Sequence, residues 1–517
     1  MGKTAGADTL AEASTLTEVL RAQIGLQPQQ TLIIAPETGN TLDYAGLGRL
    51  STQLAAWFDS RAIAPGARVA MLLPNGLTAT AIFLATMVAG RTITPLSLVG
   101  QPAQLKYVLE HCEASCVFTT EQLAPRLRAV LGDADDQLII VDPDSLVGGP
   151  WMARGPFAAA AAPSLLGIGT QPDDGALLMY TSGTTGVPKG VPLSHRNLLH
   201  AARALARWHQ LGPQDRVLSA LPLYHINGQV IATLTPLVSG GSLVTPEKFS
   251  VSGWWAAALT HQCTWINMVP TIIAYLLNDE QSAPSYMGAI RFARSASAPL
   301  PPEQQRAFEA RFGVPVVEAM GMTETASVVF CNPMPPAARK IGSPGVPVGI
   351  EVKVIDEQGQ TLPATAAGEI CLRGPGVMNA YFRAPEQTAQ AFTADGWLRS
   401  GDLGYCDVDG FYFITGRLKE LIIKGGENIA PREIDEALLS HPAVLEAAAV
   451  GVPDPAYGQE ILAAVVLKPG AALTEQALRE FCLEVLGRYK TPRDIRFVDE
   501  LPKGASGKVQ RLKLLET

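Results

Sequence analysis

The chain has 517 residues, too many for one compact core, so we expect at least two domains. Apolar residues make up 47% and charged residues 17%, which is typical of a globular protein and excludes a disordered chain. The net charge of -8 gives no broad basic field, so we expect no nucleic-acid partner.

The sequence predicts a cytoplasmic protein without a membrane span. Its seven cysteines are scattered and form no CxxC pair, as is usual in a reducing compartment. The N-terminus has no long apolar core behind basic residues, so it does not resemble a secretory signal. The most apolar stretch, residues 77–90, is shorter than the roughly 20 residues that span a bilayer. It is therefore predicted to be a core helix.

The order of elements predicts an α/β fold. Through the first four hundred residues, β-rich runs such as 68–74 and 137–142 alternate with helical stretches, which favours layered parallel sheets. Residues 148–169 are interpreted as a loop entering a central strand. From about Glu351, short alternating strands predict a small β-barrel-like subdomain. An α+β tail follows, so we divide the chain into an N-terminal domain, residues 1–416, and a C-terminal domain, residues 417–517.

The strongest local motif is the Gly/Ser/Thr-rich run at residues 180–190, which follows the apolar strand ALLMY. Its glycines let backbone N–H groups approach an anion, its hydroxyls add donors, and Lys189 adds a positive charge, which predicts a phosphate-binding loop. The following helix is predicted to be capped by Ser194. Pro188 before the lysine excludes a Walker A loop. The alternative is a solvated linker.

Three further segments carry candidate chemistry. Glu324 follows the strand VPVVEA and offers a hard oxygen ligand to Mg²⁺ at a strand end, where α/β sheets bind ligands. Asp402 and Arg417 could together hold a ribose diol. Lys508 lies on a Gly/Ser-rich turn from which it could stabilise charge on a reacting phosphate. Taken singly, each of these residues is more often a solvated surface or turn residue.

Together and in this order, these residues resemble the acyl-adenylate-forming superfamily of acyl-CoA synthetases, carrier-loading adenylation domains and firefly-type luciferases. The resemblance implies that ATP and Mg²⁺ activate a carboxylic acid as acyl-AMP, which then passes to the thiol of coenzyme A. It places Mg²⁺ at Thr184 and Glu324, and Lys508 in the first half-reaction. The implied nucleotide contacts are Thr181, Ser182, Gly183, Thr184, Thr185 and Lys189 at the phosphates, Ser297, Ala298, Glu318, Ala319, Met320, Gly321, Met322 and Thr323 around adenine and the acyl group, and Asp402 and Arg417 at the ribose.

The resemblance also implies a mobile C-terminal domain. Lys419 would be the hinge about which this domain rotates after adenylation. The rotation would replace Lys508 by the loop of Lys424, Gly425 and Gly426, which would meet the pantetheine of coenzyme A. A homodimer is left open. Met320 departs from the family, which commonly has an aromatic residue there, so adenine would pack on a thioether instead.

The acid is predicted from the pocket residues His225, Asn227, Ser297, Met320 and Ser327. The sequence around them is similar to oxalate–CoA ligases, with Ser297 at the position of a substrate-binding serine. Ser327, however, stands where those enzymes would have a histidine. A small polar acid is therefore favoured, such as a dicarboxylic or sulfonated one, without singling out oxalate.

Other interpretations stay open at this point. Trp254, Trp255 and Trp265 could shape a pocket for an aromatic acid or belong to the core, and a medium-chain acid is a further alternative. His225 is a candidate catalytic residue as well as a pocket residue, or it could be a core histidine. The enzyme could load a carrier protein, or the chain could be a nucleotide-binding regulator that has lost catalysis. The candidate catalytic residues argue against the last alternative.

Overall fold

The computed structural model describes residues 10–132, 135–146, 165–181, 188–279, 287–503 and 509–515. Strands and helices alternate in the first part of the chain, as predicted. The strands are β1 (Thr31–Ile34), β2 (Thr41–Asp43), β3 (Arg68–Leu72), β4 (Thr92–Pro95), β5 (Cys116–Thr119), β6 (Leu138–Ile140), β7 (Gly175–Thr181) and β8 (Lys189–Ser194). The helices are α1 (Leu16–Leu26), α2 (Tyr44–Ser60), α3 (Leu77–Val88), α4 (Pro102–Cys112), α5 (Ala124–Leu131) and α6 (His195–Trp208).

The middle of the chain continues this alternation and then changes to antiparallel strands. Its strands are β9 (Arg216–Leu218), β10 (Ser242–Val244), β11 (Trp265–Met268), β12 (Phe292–Ser295), β13 (Val316–Met320), β14 (Phe330–Cys331), β15 (Val346–Pro347), β16 (Glu351–Ile355), β17 (Gly368–Arg373), β18 (Leu398–Cys406) and β19 (Tyr412–Arg417). Its helices are a π-helix (Asn227–Leu234), α7 (Thr235–Ser239), α8 (Val251–Thr260), α9 (Pro270–Asn278), α10 (Pro302–Phe312) and α11 (Pro385–Ala391).

The last part forms an α+β unit with its own core. It contains β20 (Ile422–Lys424), β21 (Glu427–Ile429), α12 (Pro431–Leu439), β22 (Val444–Asp454), β23 (Gly458–Leu467), α13 (Glu475–Lys490) and β24 (Asp494–Phe497). Its core begins at Ile422, whereas Arg417 still pairs with Asp402 across β18 and β19. A short 3₁₀ turn, Leu418–Glu420, joins the two units and contains Lys419.

Two large sheets build the N-terminal domain. The first has the order β15-β14-β13-β12-β11-β9-β10-β1-β2, and its central strands from β13 to β1 run parallel. The second has the order β6-β5-β3-β4-β7-β8 and is parallel except for β8. Strands β16 to β19 form the small antiparallel unit. The predicted fold class is therefore confirmed.

Local patterns explain several of these elements. Every residue of α3 is buried, which confirms the predicted core helix. Ser194 begins α6 as predicted: the Asn197 backbone N–H donates to its hydroxyl at 3.2 Å, and its own N–H donates to the Asn197 side chain at 2.9 Å. In the neighbouring pair of β7 and β8, Thr181 lies opposite Lys189, at the two ends of the candidate phosphate loop.

The tryptophans of the alternative aromatic pocket lie in the core. Trp254, Trp255 and Trp265 are each at most 2% exposed. Trp255 packs on Phe312 with ring centroids 4.8 Å apart, and Trp265 stacks on Phe292 at 5.5 Å. Their contacts are those of core residues.

Within the described ranges, no helix is both long enough and apolar enough to cross a membrane.

Candidate active site

Two of the candidate segments lie at one edge of the nine-stranded sheet. Because β12 and β13 are parallel neighbours, the segments that follow them leave the sheet at the same edge. Ser297 and Ala298 follow β12, and Gly321 follows β13. The nucleotide and acid contacts predicted from the two segments can therefore belong to one site.

The turn after β13 passes so close to another backbone segment that only glycine fits at position 321. A Cβ atom at Gly321 would lie 1.4 Å from the backbone oxygen of Ser327. Ser327, Ala326 and Ser297 all have positive φ angles, of 85°, 50° and 76°. Strained residues of this kind cluster at functional sites, where the surrounding structure holds them in place.

Exposure separates the predicted residues into three groups. The buried ones are Asn227, Glu318, Ala319, Glu324, Ser327, Asp402 and Lys424. Those of intermediate exposure are Thr181, Lys189, His225, Ser297, Ala298, Met320, Gly321, Met322 and Thr323. The exposed ones are Arg417, Lys419, Gly425 and Gly426. Ser182, Gly183, Thr184, Thr185 and Lys508 lie outside the described residues.

Glu324 and Lys189 meet at a residue that the sequence did not single out, Tyr381. The Tyr381 hydroxyl donates to Glu324 Oε1 at 2.9 Å, and the Lys189 ammonium lies 4.7 Å from the centre of the Tyr381 ring. Burial, together with the Glu324 carboxylate, raises the pKa of Tyr381. The Tyr381 ring thus contacts both the Lys189 ammonium and the Glu324 carboxylate, whose roles at phosphate and metal stay predictions.

This arrangement fits Mg²⁺ that arrives with a nucleotide. Among the described residues, no three His, Cys, Asp or Glu side chains lie close enough to hold a metal ion by themselves. Mg²⁺ commonly takes one or two carboxylates and completes its shell with water and substrate phosphates. Glu324 supplies a carboxylate of that kind, beside Lys189.

Asp402 and Arg417 lie opposite each other on β18 and β19, as a joint site requires. Arg417 Nε is 2.7 Å from Asp402 Oδ1; the Asp402 side chain is 3% exposed and that of Arg417 is 47% exposed. The attraction of Asp402 is the largest cause of the raised pKa of Arg417. The buried Asp402 carboxylate thus orients the Arg417 guanidinium, while the Arg417 side chain stays partly exposed to solvent. Their role at the ribose stays a prediction.

The candidate acid pocket contains a chain of side-chain hydrogen bonds. Asn227 begins the π-helix, a rare element that recurs at functional sites. Its Nδ2 donates to Ser297 Oγ at 3.1 Å, and its Oδ1 accepts from Asn267 Nδ2 at 3.1 Å. His225 lies just before this helix, its ring edge-on to Tyr224 with centroids 4.6 Å apart. The pocket side of the sheet is therefore polar.

Arg294 on β12 completes this series of hydrogen bonds. Neither Arg294 nor Asn267 was predicted from the sequence. Its Nη1 lies 3.4 Å from the Oδ1 atoms of Asn227 and Asn267. The residue is 1% exposed, and its Nε has no hydrogen-bond partner among the described residues. Burial lowers its pKa. A charged residue within an apolar parallel strand is the signal that could have found it.

Lys424 corrects one expectation about the loop for coenzyme A. Its ammonium lies 2.6 Å from Glu460 Oε1 and donates to the Tyr489 carbonyl oxygen at 2.9 Å. The side chain is thus buried within the C-terminal domain, because the neighbouring carboxylate offsets its charge there. In this arrangement it does not present its ammonium to a ligand. Gly425 and Gly426, with φ angles of 56° and 86°, form the exposed turn of the loop.

Comparison with known proteins matches both domains to one family. A family model described as AMP-binding enzyme matches residues 20–382, and one described as AMP-binding enzyme C-terminal domain matches residues 433–508. The sulfoacetate–CoA ligase of Cupriavidus necator is 51% identical over 506 residues, 97% of each chain. The oxalate–CoA ligase of Arabidopsis thaliana is 36% identical over 467 residues, 87% of this chain and 88% of its own.

Solved structures agree over nearly the whole chain. ATP-bound MatB from Rhodopseudomonas palustris is 32% identical, covers 97% of this chain and 98% of its own, and superposes with a TM-score of 0.89. The apo structure of the same protein, with the same identity and coverage, gives 0.78. The backbone of the present chain therefore superposes better on the ATP-bound structure than on the apo structure.

Glu318 provides a test of the buried electrostatics of this site. It is 3% exposed, accepts one hydrogen bond from the Leu300 N–H at 3.2 Å, and has its pKa raised to about 7 by burial. The folded state therefore holds the proton more tightly than the unfolded state, whose carboxyl has a pKa near 4.5. The stability linked to that proton is fully present below pH 4.5 and is lost as pH rises through 7.

We therefore expect Glu318→Gln to change the free energy of unfolding little near pH 5 and to raise it at pH 8. The gain at pH 8 relative to pH 5 should be at most about 3 kcal/mol, measured by urea unfolding. Glu303→Gln, at an exposed position of α10, is the matched control. An equal effect of Glu318→Gln at both pH values would contradict the assignment.

Proposed function

The chain belongs to the family of AMP-binding enzymes, and from that premise we propose that it joins sulfoacetate, a short acid with a second anionic group, to coenzyme A. It is an AMP-forming acid–CoA ligase that uses ATP and acts on a small polar acid. The choice among such acids is the proposal, and the hydrogen-bonded pocket of Ser297, Asn227 and Asn267 carries it.

The reaction has two steps at one site. A carboxylate oxygen of the acid attacks the α-phosphorus of ATP, the bond to pyrophosphate breaks, and the mixed anhydride acyl-AMP forms. The thiolate of coenzyme A then attacks the acyl carbon, and AMP leaves as the thioester forms. Mg²⁺ when bound would neutralise charge on the pyrophosphate. Lys189 and Glu324 would bind at that end, and Asp402 with Arg417 would hold the ribose.

Two observations support an acid with a second anionic group, and a third argues against oxalate in particular. Asn227 at the start of the π-helix and Ser297 in the turn after β12 place hydrogen-bonding groups where the acid is proposed to bind. The relative that is 51% identical is named for sulfoacetate. Ser327 has no imidazole to offer a ligand, so the histidine expected for oxalate binding is missing.

The described hinge supports joint motion of Lys419 and Lys508. Arg511, three residues after Lys508, forms ion pairs with Asp435 on α12 and with Glu420, the latter at 3.2 Å. Glu420 directly follows the hinge residue Lys419. Arg511 is thus tied to the turn that contains Lys419, and its closeness to Lys508 along the chain supports the proposal that the two lysines move together.

We place the enzyme in the cytoplasm. All seven cysteines are within the described ranges and form no disulfide, and burial raises the pKa of six of them that lie inside the protein. Such thiols suit a reducing compartment.

The substrate proposal is tested by a panel of acids. Pyrophosphate release and thioester formation are measured with sulfoacetate, malonate, oxalate, butyrate, octanoate and benzoate. We expect kcat/KM for sulfoacetate to exceed that for butyrate by at least about a hundredfold, because a neutral alkyl chain leaves the pocket's polar groups unpaired. Equal or better turnover of octanoate or benzoate would contradict the proposal, as would thioester formation on a carrier protein but not on coenzyme A.

The role of Lys508 is tested by Lys508→Ala. The change should slow formation of sulfoacetyl-AMP by about a hundredfold to a thousandfold, because it removes a charge that stabilises the transition state. It should leave thioester formation from supplied sulfoacetyl-AMP nearly unchanged. Lys513→Ala, at an exposed position five residues on, serves as control. Equal loss of both half-reactions in Lys508→Ala would rule out the assigned role.

A further inference from the structure

We propose that Arg294 is the positive charge that selects acids with a second anionic group, and that it acts through Asn227 and Ser297. This rests on the proposed function, because it names the residue that gives the pocket its preference for such acids. Arg294 does not need to touch the acid. It is a positioning residue that polarises the groups that do.

Arg294 has no carboxylate counter-ion among the described residues. Arg91, the other arginine that is buried among the described residues, pairs with the carboxylate of Asp59. Arg294, at 1% exposure, has no carboxylate partner in the described part of the chain. A cation buried in this way is costly unless an anion or its field compensates it.

The remaining neighbours of Arg294 do not supply that compensation. Burial raises the pKa of the Cys331 thiol to about 12, so it stays neutral beside the guanidinium. Burial also lowers the pKa of His209 well below its usual value, and this histidine lies 3.8 Å from the Cys331 sulfur. Neither group carries a negative charge near neutral pH. The uncompensated charge therefore favours an anion in the adjoining pocket.

The hydrogen bonds that lead from Arg294 through Asn227 to Ser297 all run in one direction. Arg294 donates to Asn227 Oδ1, and Asn227 Nδ2 donates in turn to Ser297 Oγ at 3.1 Å. Because the Ser297 oxygen already accepts, its hydroxyl proton is available to donate to a ligand. In each hydrogen bond of the series, the donor is the group nearer to Arg294. The positive charge therefore polarises the series toward the pocket.

Asn267 fixes the orientation of this series. Its Oδ1 lies 3.4 Å from Arg294 Nη1, and its Nδ2 donates to Asn227 Oδ1 at 3.1 Å and to Ser219 Oγ at 3.5 Å. Both amides thus turn an oxygen toward the guanidinium and their donors away from it. An acid with a sulfonate or a second carboxylate gains from this arrangement. An acid of equal size with a neutral group there does not.

The test compares two acids of nearly equal shape, sulfoacetate and methylsulfonylacetate, which differ in the charge on the sulfur group. The measured quantity is the ratio of their kcat/KM values with ATP and coenzyme A. We expect the wild-type ratio to favour sulfoacetate by at least about tenfold, as for a charge-assisted hydrogen bond. A wild-type ratio of one would contradict the proposed function itself, and the role of Arg294 with it.

Asn267→Asp is the decisive variant because it is nearly isosteric and gives Arg294 a carboxylate. It should lower the ratio about tenfold, mainly through a higher KM for sulfoacetate, because the new carboxylate compensates the charge of Arg294 in place of the sulfonate. Asn278→Asp, the same substitution at an exposed position on α9, should leave the ratio unchanged. A wild-type preference that persists in Asn267→Asp would overturn the role of Arg294 while leaving the proposed function standing.

Arg294→Gln and Arg294→Lys provide a second measurement. The glutamine variant should lose the preference for sulfoacetate by about tenfold or more, and the lysine variant should keep part of it, since it keeps the charge. Equal ratios in wild type and Arg294→Gln would overturn the proposal. Should the glutamine variant fail to fold, the ratio in Asn267→Asp decides.

Discussion

The parallel course of β9 to β13 is the constraint on which the site depends. It brings the ends of β12 and β13 to one edge, so the turns that hold Ser297 and Gly321 lie side by side. The same strands carry Asn267 and Arg294 below that edge. Without this pairing, residues separated by up to 94 positions, from Asn227 to Gly321, would have no common pocket.

Two further sheets add groups that the first one lacks. Lys189 comes from the six-stranded sheet, and Asp402 with Arg417 from the antiparallel unit. Tyr381 connects Lys189 to the segment after β13 by contacting both Lys189 and Glu324. The C-terminal domain is linked to this assembly by the short turn around Lys419. A site shared in this way can be rearranged between two half-reactions by moving the smaller domain.

Local signals in the sequence predicted local structure well. The cap at Ser194 and the buried helix α3 depend on spacing within a few residues, and the structure confirms them. Motifs identified the family and the acid–CoA ligase activity. The supports of the site escaped notice because Tyr381, Asn267 and Arg294 acquire their roles only through contacts between distant segments. Lys424 was placed at the ligand because the sequence does not reveal its partner Glu460.

The central claim is that the second anionic group of the acid binds beside Ser297 and Asn227, in the field of Arg294. A crystal structure with sulfoacetate and a non-hydrolysable ATP analogue tests this most directly. We expect a sulfonate oxygen within about 3 Å of Ser297 Oγ, with the carboxylate turned toward the α-phosphate. A sulfonate group that points to solvent or contacts residues of the C-terminal domain would contradict the account.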